Sequence, residues 1–175
     1  MGIYKAAELG TESFYIISEF AVGVAGFSAI VIAIGHRADE MDALARFRVL
    51  TLLSNALTAA FGGLVPQLFA SFGLAGSSVW FWSSIVLGSS LAALLVDAFV
   101  RRSRLSRTEG SNISQPLWLV LTGSLAGLAL LQVANALAAS PSPGPVFAGL
   151  VGILGNASLI FIRFVVAGPG VRPAV

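Results

Sequence analysis

Five apolar stretches, at 13–35, 49–72, 79–100, 116–138 and 146–167, decide what this chain can fold into. Each reaches the roughly 20 residues that a helix needs to cross the hydrocarbon core of a bilayer. Lipid offers backbone groups no partners, so every N–H and C=O must be satisfied within the segment, and such stretches fold as helices. The expected fold class is all-α: an integral membrane bundle of five transmembrane helices, one transmembrane domain over 1–175. Only 10% of the residues are charged against 57% hydrophobic. A soluble domain carries about 25% charged residues, so this chain has too little charge to cover a globule. The first apolar run is too long for the core of a cleaved signal peptide and reads as a span.

The connections are of two kinds. Those at 73–78 and 139–145 are short, uncharged and rich in Gly, Ser and Pro, which suits tight turns. Those at 36–48 and 101–115 are longer and basic. Arg37, Arg46 and Arg48 follow the first span, Arg101, Arg102, Arg104 and Arg107 the third, and Arg163 and Arg172 close the chain. With five spans these nine cations share one side, and Lys5 alone lies on the other. Excess Lys and Arg in short loops marks the cytoplasmic face. The N-terminus is therefore expected outside and the C-terminus in the cytoplasm. Trp80 and Trp82 begin the third span and Trp118 the fourth, where indole rings anchor at the headgroup level.

Helices in lipid associate through small residues and interhelical hydrogen bonds, because lipid tails are as apolar as leucine. Each span carries a stripe of that kind, and these faces are expected to turn inward. In the first the stripe is Glu12, Ile16, Glu19, Gly23, Gly26, Ile30 and Ala33; in the second, Thr51, Asn55, Thr58 and Gly62. Ser83, Ser90, Ala93 and Asp97 mark the third. Gly123 and Gly127 form a GxxxG pair in the fourth, expected to pack against a neighbouring helix of the same chain. Gly149, Gly152, Asn156 and Arg163 mark the fifth. Pro66, late in the second span, lacks the N–H that would bond to Gly62 and predicts a kink.

Ionisable groups within spans are costly and make functional candidates. Asp97 and Arg163 lie at similar depth near the cytoplasmic side. They can pair across the bundle, or Asp97 can pair with Arg101 one turn on while Arg163 snorkels. Glu19 lies in the outer half of the first span, where no Lys or Arg is available. Its expected partners are the amides Gln67, Gln132 and Asn135, which topology places in the same half. Such a carboxyl suits either proton or cation movement through a polar outer cavity, or a hydrogen-bond donor that fixes packing. Asn55 and Asn156 complete the polar intramembrane candidates.

No catalytic signature is present: no HExxH, no Walker A loop, no GxSxG elbow, and no cysteine. The run His36, Asp39, Glu40, Asp42 reads as a solvated loop, with Asp42 supporting Arg46, rather than a metal site. The reading is of a non-enzyme with no metal, no cofactor and no nucleic-acid partner. The segments FAVGVAGFSAIVIAI at 20–34, RFRVLTLL at 46–53 and LVPQLF at 64–69 resemble a group of small uncharacterised bacterial membrane proteins. The resemblance covers mainly the first two spans. It implies a bacterial cytoplasmic (inner) membrane and supplies no activity and no site residues. The expected function is a small permease or channel-type subunit with a polar outer cavity around Glu19, or a non-catalytic accessory or scaffold subunit of a larger complex. Five helices make a thin bundle, so the expected partners besides the lipid bilayer are further copies of the chain or a larger membrane protein.

Overall fold

The computed structural model describes residues 2–35, 43–105 and 114–166. They form five helices: α1 (Gly2–Gly35), α2 (Ala43–Ser71), α3 (Ser77–Ser103), α4 (Gln115–Leu137) and α5 (Pro143–Val166). All five are long and apolar enough to cross a membrane. They cover the five expected spans, but α1 starts eleven residues earlier than its span and α2 six, the first turns of α2 running back into the basic segment. His36, Arg37, Asp39, Glu40, Asp42, Arg107 and Arg172 lie outside the described residues, as does the side chain of Ala33.

Local chemistry sets the ends. α2 closes in a Schellman motif, with Gly73 N–H donating to Ala70 O at 3.0 Å and Leu74 N–H to Phe69 O at 3.2 Å. Gly73 takes the left-handed conformation that this closure requires, with φ 85°. α4 opens with Pro116 in its first turn, where a missing N–H leaves nothing unpaired. Inside α2 the helix runs on through the buried Pro66 to Ser71. The Gln67 carboxamide, with its nitrogen turned to the backbone, donates to Gly63 O at 2.7 Å and Leu64 O at 3.1 Å.

Helices consecutive in the chain run in alternating directions. Phe14 of α1 packs on Phe147 near the start of α5, and Phe27 on Phe161 near its end, so α1 and α5 are parallel. α2 packs on α1, α3 and α5, and α5 touches every other helix. The core is Phe14, Ile17 and Ala21 of α1 with Ala59, Leu87, Leu91, Leu125, Leu150 and Ile153. Glycines let the helices approach. A Cβ at Gly63 would sit 2.9 Å from Phe14 O and against Ser18, and one at Gly149 would sit 2.7 Å from Gln132 Nε2.

Two expected inward faces turn out to face outward. In α1 the buried residues are Phe14, Ile17, Ser18, Ala21 and Ser28, whereas Glu12, Ile16, Glu19, Gly23, Gly26 and Ile30 are exposed. The reason is Phe14, whose ring stacks on Trp80 and meets Phe147 edge-on, each at 5.8 Å. That knob, together with Ser18 in the notch left by Gly63, fixes which side of α1 faces the bundle. In α4 the pair Gly123 and Gly127 is likewise exposed, with nothing within 4 Å of where a Cβ would stand. Trp118 departs from the anchor expectation as well: it is 7% exposed, walled by Phe47 and Phe99 and capped by the Arg102 guanidinium 4.4 Å from its ring.

Candidate functional site

Polar side chains gather at two levels of the bundle. Near the turn joining α4 to α5, Asn135 Nδ2 donates to Ser84 Oγ at 2.8 Å and to Ser142 O at 3.0 Å. Its Oδ1 accepts from Ser142 N–H at 3.1 Å. One turn deeper, Gln132 is fully buried and its Nε2 donates to Pro145 O at 2.7 Å. It fits because α3 offers Gly88 and α5 Gly149 beside it; a Cβ at Gly88 would be 3.2 Å from Gln132 Cβ. These amides therefore clamp α4, its turn and α5 together. They enclose no cavity with Glu19, and Gln67 is turned onto its own helix backbone.

Glu19 is exposed on α1 and, among the described residues, makes no hydrogen bond or ion pair. The expected contacts with Gln67, Gln132 and Asn135 are not formed. Depth was matched, but the carboxyl is on the opposite side of α1 from the bundle. Around it, Gly23 and Gly26 leave open space, and Glu12 lies two turns away on the same face.

At the other level, the start of α2, the ends of α3 and α5 and the start of α4 surround a cleft. This end of the bundle carries Arg46, Arg48, Arg101, Arg102, Arg104 and Arg163. The free space is about 60 Å³, walled by Phe47, Trp118, Leu125 and Ile160, with Arg48 and Arg163 also on its lining. Thr51, Asn55, Thr122 and Asn156 supply its polar atoms. Their donors are largely engaged. Thr51 Oγ1 bonds to Phe47 O at 2.8 Å, Asn55 Nδ2 to Thr51 O at 2.7 Å, and Thr122 Oγ1 to Trp118 O at 2.7 Å. Asn156 Nδ2 reaches Ser124 Oγ at 2.8 Å and ties α5 to α4. What remains is an acceptor: Asn55 is 2% exposed and its Oδ1 has no donor. The arrangement offers binding, with cations at one end, an apolar wall and a buried carbonyl oxygen. The Thr51 and Thr122 hydroxyls donate to backbone carbonyls of their own helices.

Of the two arrangements open to Asp97, it takes the local one and meets Arg101 one turn on, Nε to Oδ2 at 2.6 Å. The pair is local and partly exposed, and Arg163 lines the cleft. The cleft itself is the feature that reading the sequence missed. Its signal was there: Arg48 and Asn55 on α2, and Arg163 and Asn156 on α5, are each seven residues apart and share a helix face. Compared with family models, characterised proteins and solved structures, the chain matches none.

Proposed function

We propose that the protein is a non-catalytic subunit of a membrane assembly, held to a second copy of itself through the outer face of α1. The observation that carries this is Glu19, a carboxyl on an exposed face of an apolar span, beside two glycines that touch nothing. A carboxyl directed at lipid tails is costly, and glycines gain nothing from lipid, whereas both favour close helix contact. The stripe Glu12, Ile16, Glu19, Gly23, Gly26, Ile30 alternates steps of four and three, the heptad rhythm of a helix pair. Two copies related by a two-fold axis along the membrane normal bring this stripe against itself at one depth.

The cations gathered at one end support an orientation with that end in the cytoplasm and the N-terminus outside. The resemblance of the first two spans to small bacterial membrane proteins supports a bacterial inner membrane as the location. One observation favours a second reading. In a ring of more than two copies the same stripe would line the shared axis, and Glu19 would serve a proton or cation path, the channel-type function.

The chain has no cysteine, so an introduced one reports alone. Gly23→Cys and Gly26→Cys are each expected to form disulfide-linked dimers of this chain in native membranes, and Leu130→Cys, exposed on α4, is not. Cross-linking of Gly23→Cys and Gly26→Cys no stronger than that of Leu130→Cys sinks the proposal. A ring with pH-dependent flux in liposomes that Glu19→Gln abolishes selects the second reading.

A further inference from the structure

The basic-end cleft is separate from the α1 face, and its lining specifies a ligand in three parts. Seven residues of helix rise about 10 Å, which places Asn55 below Arg48 and Asn156 below Arg163. Helical side chains lean toward their own N-terminus. α2 begins at the basic end, so Asn55 leans toward the mouth. α5 ends there, so Arg163 leans into the cleft. The guanidinium and the unpartnered Asn55 Oδ1 thus converge along walls formed by Phe47, Trp118 and Ile160. The ligand must bring an anion for the arginine, a hydrogen-bond donor close to that anion, and a hydrocarbon part.

From this we infer that the cleft binds a single-chain anionic phospholipid with a free glycerol hydroxyl next to its phosphate, a lysophospholipid from the leaflet at the basic end. The phosphate sits at Arg163 and Arg48, the hydroxyl donates to Asn55 Oδ1, and the chain runs along the apolar wall. Competing occupants each fail one part. Water satisfies Asn55 and leaves unmet the apolar walls and, among the described residues, Arg163. Free phosphate satisfies the arginine alone. A two-chain lipid whose phosphate carries no hydroxyl-bearing headgroup places ester oxygens where a donor is needed.

The test titrates the purified full chain, in nanodiscs of zwitterionic lipid, with 1-oleoyl-glycerol-3-phosphate and follows bound ligand per chain by native mass spectrometry. The same titration uses the analogue in which hydrogen replaces the glycerol hydroxyl, and inorganic phosphate. Saturable binding of one lipid per chain is expected, with about tenfold weaker binding of the deoxy analogue, the worth of roughly one hydrogen bond. Millimolar inorganic phosphate should not displace the lipid. Arg163→Gln should weaken both lipids, and Asn55→Leu should erase the difference between them without lowering the unfolding temperature. Equal binding of the two lipids by the unmodified chain overturns the proposal, as does unchanged binding in Arg163→Gln. Displacement by phosphate alone assigns the cleft to a free anion, and absence of saturable binding leaves it to water; either result overturns the lipid. If Asn55→Leu does not fold, the unmodified chain and Arg163→Gln still decide.

Discussion

Helices α1 and α5 run side by side in the same direction, and each carries small residues at three-and-four spacing. α5 turns its stripe inward: Gly149 faces Gln132 and Leu87, Gly152 faces Leu128, and Asn156 holds Ser124. α1 turns its stripe outward, with Gly23 and Gly26 against nothing among the described residues. The difference lies on the other face of each helix. Opposite the α1 stripe stands Phe14, which gains two ring contacts by facing the bundle, each of the kind worth about 0.5–1.5 kcal/mol beyond area. α5 sits in the middle and touches every other helix, and Gly149 and Gly152 are where neighbours come close. A stripe of small residues marks where a helix can be approached. It does not say by which chain.

The comparison can be broken, and the most demanding attempt is at Gly63. Its absent Cβ leaves the notch that receives Ser18, so Gly63→Val should separate α1 from α2 and cost about 3 kcal/mol or more, the upper range for overpacking. Unfolding in mixed micelles measures this, and a small loss would mean α1 is held by something other than that notch. Gly149→Ala is next, at about 1–3 kcal/mol, because the added methyl meets Gln132 Nε2 at 2.7 Å and Leu87 Cδ2 at 2.9 Å. Shortening Gln132 to Ala in the same chain should make the two losses less than additive; strict additivity would deny that the amide needs the glycine. Charges extend the contrast between local and cross-bundle contacts. Asp97→Asn should cost no more than about 0.5 kcal/mol, as for exposed pairs one turn apart, and should add to Arg163→Gln without coupling. Gly123→Ala should be the mildest, within about 0.5 kcal/mol for the isolated chain. A loss there equal to that at Gly149 would erase the distinction between inward and outward glycines.

Depth along each helix could be read from the sequence, whereas rotation about it could not always be. Five apolar runs announce five helices because lipid permits no other backbone arrangement, and Gly73 announces the end of α2 because its φ suits few other residues. The inward rotation of α2 and α5 was also legible, since Thr51, Asn55 and Gly62 on one, and Gly149 and Asn156 on the other, have no rival stripe. α1 has one. Phe14, Ile17, Ala21 and Ser28 repeat with the same rhythm as Glu12, Glu19, Gly23 and Gly26, and a repeat cannot choose between two faces. Glu19 was matched to Gln67, Gln132 and Asn135 by depth alone, and those amides found partners nearer in the chain. Asp97 took the cation four residues on, one of the two arrangements its position offered. The cleft stayed hidden because its walls come from four helices, and the arginines at its mouth were already explained by the charge rule.

The clamp at the α4–α5 turn has a consequence for biogenesis. Ser142, the partner that both gives to and takes from Asn135, lies seven residues along the chain, and Pro145 O, which takes the Gln132 proton, thirteen. Of the polar atoms of these two amides, Gln132 Nε2 and both of Asn135 are thus met inside their own hairpin, while Gln132 Oε1 has no partner among the described residues and the bond to Ser84 waits for α3. Helices α4 and α5 are suited to leave the translocation machinery together, as a hairpin that has already paired most of the polar atoms of these amides. The ribosome would then have to finish α5 before α4 could settle, which makes the last span of the chain a condition for placing the one before it.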